Sequence, residues 1–429
     1  MRTWQRITVT EYDKPAALAD QISKSTEISI AHARELLLGA GERVRGLLDL
    51  DASPVALVGD KILFQNFSGL LVLARGLELE VAPKFLGNAE GWREDFFLLA
   101  TLSHHGRLLD DEGLKASAQA DSDLATLIGR SLVQMYWQNH RRPLRSYRRL
   151  RMTEFAIEGD YDPEDLAVPG EDGFAQEITS FTRVNPFNSV IRAAAAQLAP
   201  VVPDAETRCR LERVADHLPR QHAPTRFDKR QVPSRARSWQ PTYDLSLDIL
   251  QGLGGTYEPK NALAPGFVMA TWQVWEQLIS IGLRSGLGSK NITVQAKHQL
   301  GRRQSGGKAS ALNVYPDILA RIREDEGDRN VIIDAKYKGH IERGTKTVSN
   351  ADIYEALAFS RATLVKDVVL AYPKTFDAAN PDSCQVGNAI EFSSVIVDDV
   401  RIRALELGVC GISKRGGLRK FVAALSSFI

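Results

Sequence analysis

At 429 residues the chain has room for two or three domains and a sizeable core. A net charge of only +1 excludes a polybasic DNA-coating protein, so any nucleic-acid contact must come from local basic patches. Three cysteines without paired spacing, Cys209, Cys384 and Cys410, argue against a zinc centre and a disulfide scaffold, and fit a reducing cytosol. The N-terminus lacks the apolar run of a signal peptide, and no stretch is long and apolar enough for a transmembrane helix, so a cytoplasmic protein is expected.

Residues 1–91 read as a β-rich module with one helix. Ile7 to Val9 forms a strand, and apolar spacing predicts a helix from Ile28 to Leu38 capped by Ser25 or Thr26. Strands follow at Pro54–Val58, Gly69–Ala74 and Leu77–Val81. The last two alternate apolar and polar residues around Arg75-Gly76, a hairpin pattern. Residues 92–242 read as mostly helical, with helices at Trp92–Ser103, Asp121–His140, Asn188–Leu198 and Ala205–His217, and a strand at Met152–Ile157. Within them, 218–242 is rich in Pro, Arg and Gln and reads as an extended linker.

Residues 243–429 read as an α/β domain, a mixed sheet with helices on its faces. A helix spans about Phe267 to Leu283, and a strand Ile292–His298 leads to a Gly-rich turn, GRRQSGG. Strands at Asp317–Ile322 and Val331–Ala335 are joined by the turn REDEGDRN. Helix Ala351–Leu364 and strands Val368–Tyr372 and Glu391–Val397 complete it.

The chemistry concentrates in NVYPDILARIREDEGDRNVIIDAKYK, residues 313–338. Asp317 opens one strand; Asp334 and Lys336 end the next, two apart and so on one face. The run before Asp334 is apolar on both faces, as in a buried central strand, so an acid and a lysine at its end need a reason. A lone Asp-x-Lys is also what a strand-end ion pair looks like. With the upstream Pro316-Asp317 at hairpin distance, the set matches metal-assisted phosphodiester hydrolysis: carboxylates to hold Mg2+ or Mn2+ and an ammonium to stabilise developing charge. Glu276, on the helix that opens the domain, is a candidate third acid: it either shares a solvated helix face with Gln273 and Gln277 or resembles the glutamate that nucleases of the PD-(D/E)xK type often place from this helix beside the metal.

Other polar residues leave two readings open, nucleic-acid contact or ordinary surface. These are Lys338, Tyr354 and Glu355, and the basic residues Arg302, Arg303 and Lys308 of GRRQSGGKAS. That stretch is not a nucleotide-binding loop: an extra glycine shifts Lys308, and Ala309 stands where Ser or Thr is required. The chain is therefore expected to bind no nucleotide of its own. Two basic runs, His140–Arg151 and Arg220–Arg237 with Arg226, Lys229, Arg230 and Arg235, suit phosphate contact or a connector neutralised by Glu158, Asp160, Asp162 and Glu164.

Taken in order, GLELEVAPKF, WREDFFLLATL, SYRRLRMTEFAIEGDYD, FVMATWQVWEQLI, YPDILARI, VIIDAKYK, DIYEALAFS and VVLAYP resemble the McrC family. McrC is the nuclease subunit of McrBC-type modification-dependent restriction systems, a branch of the PD-(D/E)xK nuclease superfamily. The chain departs from it at Glu158-Gly159, where the family has an Arg-Gly turn, and at Tyr354-Glu355, where it has Tyr-Gln. The resemblance implies a DNA endonuclease with Asp317, Asp334, the carbonyl of Ala335 and Glu276 around Mg2+, and Lys336 assisting the nucleophile or the transition state. It implies a partner, an McrB-like AAA+ hexamer that hydrolyses GTP or ATP, and modified or site-specific double-stranded DNA as substrate. The N-terminal module would dock in the motor, with Lys84, Arg75 and Arg43 to Arg45 as candidate contacts.

Overall fold

The computed structural model describes residues 5–74, 77–105, 124–161, 170–220, 230–252, 267–305, 308–324, 327–338, 340–342 and 345–429. Arg75, Gly76, Asp162, Glu164, Arg226 and Lys229 lie outside these, as does the side chain of Lys308. Two compact units form. One joins Met1–Leu124 to Val268–Ile429; the other is Ala125–Phe267.

The N-terminal part of the first unit begins with β1 (Gln5–Thr10), α1 (Leu18–Ser25) and α2 (Ile30–Leu47). The cap of α2 is Ser29, whose hydroxyl accepts from His32 N at 3.3 Å, rather than Ser25 or Thr26. The hairpin β2 (Val55–Val58) and β3 (Lys61–Phe64) follows. Next come β4 (Ser68–Ala74), β5 (Leu77–Ala82) and α3 (Trp92–His105). β1 runs parallel to β5, and β4 pairs antiparallel with it, so the expected hairpin forms. Ile22, Ala33, Leu37, Phe67, Leu79 and Val81 fill the core beneath. Gly41 is required where α2 crosses β2: a Cβ there would stand 2.6 Å from that of Val55.

The alternation in β5 does not face Glu78 and Glu80 to water. Both are buried. Arg6 bonds Glu78 through Nε at 2.9 Å, and Arg93 bonds Glu80 through Nη2 at 2.7 Å. A third acid, Glu11, lies just past β1 and is fully buried, which pushes its carboxyl up to about 8. Between pH 4.5 and 8 the folded chain therefore keeps a proton that the unfolded chain has released, and stability falls as pH rises through that window. Calorimetry from pH 5 to 8 should show a shallower fall in melting temperature for Glu11→Gln than for the wild type; equal slopes would refute this.

The second unit contains α4 (Leu124–Asn139), β6 (Ser146–Glu154), β7 (Asp160–Tyr161) and β8 (Phe174–Thr182), with sheet order β6-β8-β7. α5 (Pro186–Leu198), α6 (Ala205–His217) and α7 (Gln240–Gly252) complete it. The strand expected at Met152 begins at Ser146 instead, so the arginines of SYRRLR lie on an exposed ladder. Nor is 218–242 extended throughout. Ser234–Trp239 forms a 3-10 turn running into α7, because Trp239 is buried and donates from Nε1 to Arg142 O at 2.7 Å.

The chain returns to the first unit through β9 (Phe267–Met269), α8 (Thr271–Leu287) and β10 (Ile292–Val294). The expected Gly-rich turn is a full hairpin, β11 (His298–Ser305) with β12 (Lys308–Val314). β13 (Ile318–Glu324) and β14 (Gly327–Ala335) form the expected motif hairpin. A small hairpin, β15 (His340–Glu342) with β16 (Thr345–Thr347), precedes α9 (Asn350–Thr363). β17 (Asp367–Pro373), β18 (Ala389–Val397), β19 (Val400–Leu407) and α10 (Gly417–Ser426) follow. A six-stranded mixed sheet results, in the order β10-β13-β14-β17-β19-β18. β14, β17 and β19 are its parallel centre. The fold is α/β, as expected.

Cys384 and Cys410, expected to stay unpaired, form a disulfide with Cα atoms 5.5 Å apart. The parallel bridge between Gln385 and Cys410 brings the two segments together. Among the described residues no helix is long and apolar enough to cross a membrane.

Candidate active site

The register of the motif hairpin sets the site. Ile318 pairs with Ile333, which brings Asp317, one residue before β13, level with Asp334 near the end of β14. Asp317 Oδ2 accepts from Ala335 N at 2.9 Å. Val331, Ile332 and Ile333 are all buried, as an apolar strand in a sheet centre requires. They carry Asp334 inward to 3% exposure at the carboxyl end of the parallel strands. Lys336 lies just beyond, its N–H donating to Ala371 O at 2.9 Å.

Glu276 comes from α8, whose other face buries Trp275, Leu278 and Ile279. Its Oε1 accepts from Gln295 Nε2 at 2.6 Å. Gln295 takes a left-handed conformation, φ +47°, just after β10, and its N–H donates to Asp317 O at 2.9 Å. One residue thus ties the helix acid to the first motif aspartate. Gln295 had no signal in the sequence: it sits within a strand-like run and matches no spacing.

Lys336 is shared among acids. Its Nζ is 2.7 Å from Asp334 Oδ2, 2.6 Å from Glu355 Oε2 and 3.8 Å from Asp352 Oδ1. The contact to Glu355 is a hydrogen bond, whereas the approach to Asp334 is close but poorly angled, so buried Asp334 Oδ2 has an ion partner and no hydrogen bond. Tyr372 donates to Asp352 Oδ2 at 3.1 Å and holds that outer acid in place. Asp352 and Tyr372 lack a local pattern that would have marked them.

Burial pushes the Asp334 carboxyl up to about 7; repulsion from Asp317 and Glu355 adds to this and Lys336 opposes it. Burial also raises Asp317 and Glu276, helped by Glu276 acting on the first and by Asp334 on the second. Burial alone would lower Lys336, but Asp334 and Glu355 outweigh it and hold the ammonium charged.

Three carboxylates resisting ionisation beside one another, with an inward oxygen lacking a hydrogen bond, form a donor set suited to a hard divalent cation. Among the described residues no three such side chains already enclose a single point. Lys336 instead stands against the Asp334 oxygen. Glu355, 2.6 Å from the same ammonium, is where it can remain if that oxygen is taken.

The remaining predicted residues are at the surface. Arg302 and Arg303 are exposed on β11, and Tyr354 is 67% exposed on α9. Lys338 is exposed, with Nζ 5.3 Å from the Tyr12 ring centre. In the second unit Tyr147 and Phe181 pack as exposed rings 5.1 Å apart, with the Arg235 guanidinium 4.0 Å from the Phe181 ring.

This fold has a counterpart among solved structures. A chain of the refined half-complex from a tetradecameric assembly of Thermococcus gammatolerans McrB AAA+ hexamers with bound McrC matches with a TM-score of 0.68 at 14% identity, covering 99% of this chain and 100% of that one. A chain of the cryo-EM structure of the Thermococcus gammatolerans McrBC complex matches at a TM-score of 0.49 and 15% identity, over 66% of this chain and 88% of that one. At such identities the first likeness concerns fold alone. No curated protein matches. The family described as McrBC 5-methylcytosine restriction system component matches residues 62–373, most of the sequence and all of the motif hairpin. The chain belongs to that McrBC family.

Proposed function

We propose that this chain is a Mg2+-dependent DNA endonuclease subunit of an McrBC-like restriction or antiphage complex, cutting phosphodiesters when docked to an AAA+ GTPase or ATPase. The observation that carries this reading is the convergence of Asp317, Asp334 and Lys336 at the carboxyl end of the sheet's parallel centre. The similar chain's assembly with McrB AAA+ hexamers supports the partner.

Asp317, Asp334, the Ala335 carbonyl and Glu276 would hold the ion. When bound, it supplies Lewis acidity and a water activated at neutral pH. Gln295 keeps Glu276 turned toward the site, and the Ala335 N–H keeps Asp317 from rotating away. Lys336 donates to the phosphate oxygen on which charge builds, with Glu355 holding its charge before substrate arrives. The exposed Arg302, Arg303, Lys338 and Tyr354, together with Lys308, contact the DNA backbone, where each cation lost weakens binding and its salt dependence without altering the chemical step.

Plasmid cleavage with Mg2+ tests this, using methylated and unmethylated DNA, with and without the AAA+ partner and GTP or ATP. Cleavage only with motor, nucleotide and intact Asp334 is expected. Cleavage by the lone chain would make it a free-standing repair nuclease. Motor stimulation without cleavage would make it a non-catalytic activator. Lys336→Met should lower single-turnover cleavage by about 100-fold or more while DNA affinity holds; an equal loss of affinity would assign the lysine to binding instead.

A further inference from the structure

The described carboxylates and the lysine of the candidate site come from residues beyond 270, yet a buried and a half-buried residue of the N-terminal module reach their supports. Glu11 is 1% exposed. It accepts from the hydroxyl of Tyr337, from Thr271 Oγ1 at 3.2 Å and from Lys84 N at 3.3 Å. Tyr337 follows Lys336 directly. Thr271 opens α8, five residues before Glu276, and its hydroxyl is also 2.9 Å from that of Ser68 on β4. The Lys84 ammonium does not bond Glu11. It donates to the Tyr337 carbonyl and lies 4.3 Å from the centre of the Tyr337 ring and 5.4 Å from that of Tyr12.

Tyr337 is therefore gripped at both ends, its hydroxyl by Glu11 and its carbonyl by Lys84, while Phe85 packs edge-on against its ring. On the other side, Lys336 N is held by Ala371 O. The backbone that aims Lys336 is clamped between β17 and the N-terminal module. The same Glu11 carboxyl fixes the first turn of the helix bearing Glu276. A buried acid and a half-buried lysine cost desolvation that apolar residues of equal volume would avoid, and such groups are retained where they select one geometry.

From this geometry we infer that Glu11 and Lys84 are positioning residues of the nuclease site, setting Lys336 through Tyr337 and Glu276 through Thr271. This rests on the endonuclease reading for its catalytic consequence, but the positioning itself can be measured separately. The N-terminal module is then part of the site's framework as well as a docking element, and strain imposed on it reaches the lysine through a single residue.

The test uses the full chain carrying Lys84→Met, Tyr337→Phe, Glu11→Leu or Glu11→Gln. Hydrogen exchange of the segment 331–338 is the first readout. Lys84→Met and Tyr337→Phe should speed exchange at Lys336 by about 10-fold or more, whereas Glu11→Gln, which keeps the shape and bonding capacity of the protonated acid, should leave it within twofold. Single-turnover cleavage with the motor present is the second. The first two variants and Glu11→Leu should fall about 10- to 100-fold, as misplacement of a catalytic group by an ångström does, with DNA affinity and melting temperature close to wild type, and Glu11→Gln should restore the rate. Unchanged exchange in folded Lys84→Met and Tyr337→Phe would overturn the inference, as would rates that fall only in step with unfolding. If the wild type fails to cleave, the endonuclease reading falls, and the exchange result still decides whether these residues position Lys336.

Discussion

If the chain is the proposed endonuclease, Asp334→Asn should lower cleavage by a factor on the order of 10^3 or more while leaving the fold intact, because it takes a central carboxylate from the proposed donor set. The structure adds a second consequence. Burial pushes this carboxyl up to about 7, so at pH 8 the metal-free wild type holds a buried charge beside Asp317 that Asn does not carry. The metal-free variant should therefore melt no lower than the wild type at pH 8. Addition of Mg2+ separates them. An ion that binds only the folded state stabilises it by about 2.7 kcal/mol at 100 times its Kd. The wild type should show such an upward shift and Asp334→Asn should not. Equal shifts in both would place the ion elsewhere.

Trp275→Ala should have the largest effect on stability. Its side chain is fully buried on α8, with ring centres 6.2 Å from both Phe85 and Phe421. Truncating a buried Trp costs about 3–5 kcal/mol, since the transfer energy is lost and the cavity collapses only partly. The indole also donates to Ala371 O at 2.9 Å, the carbonyl that takes the Lys336 N–H. Trp275→Phe keeps an aromatic ring but loses that bond and part of the packing, with an expected cost of about 1–2 kcal/mol, since Ala371 O still accepts from Lys336 N. Chemical unfolding measures both; a loss below about 1 kcal/mol for the alanine variant would mean that the packing is loose.

These two residues show why different parts of the molecule were legible to different degrees. Trp275 lies at helical spacing with Leu278 and Ile279, and an aromatic at such a position reads as core without any structure. Asp334 ends an apolar run whose length and β-branched content already mark a central strand. The reason for its raised pKa was only partly visible: burial follows from the apolar run, but Glu355, which adds repulsion, approaches from a helix further along the chain. The alternation of β5 marked the hairpin but not the burial of Glu78 and Glu80, which Arg6 on a parallel neighbour and Arg93 on the next helix neutralise in place.

What the sequence determined by itself was local and periodic: the motif hairpin, the two-residue spacing of Asp334 and Lys336, the helix bearing Glu276, and the α/β character of the C-terminal part. Each follows from a period of two or 3.6 or from a short apolar run, which need no distant partner. Tertiary structure alone decided which carboxylates share Lys336, that Gln295 joins Glu276 to Asp317, that Cys384 meets Cys410, and that Glu11 reaches Tyr337. That last bond spans 326 positions, and its strength depends on the burial it helps create. Pairings of this kind leave no period in the chain, since they are set by how sheets and helices stack and by which polar groups must find partners once water is gone.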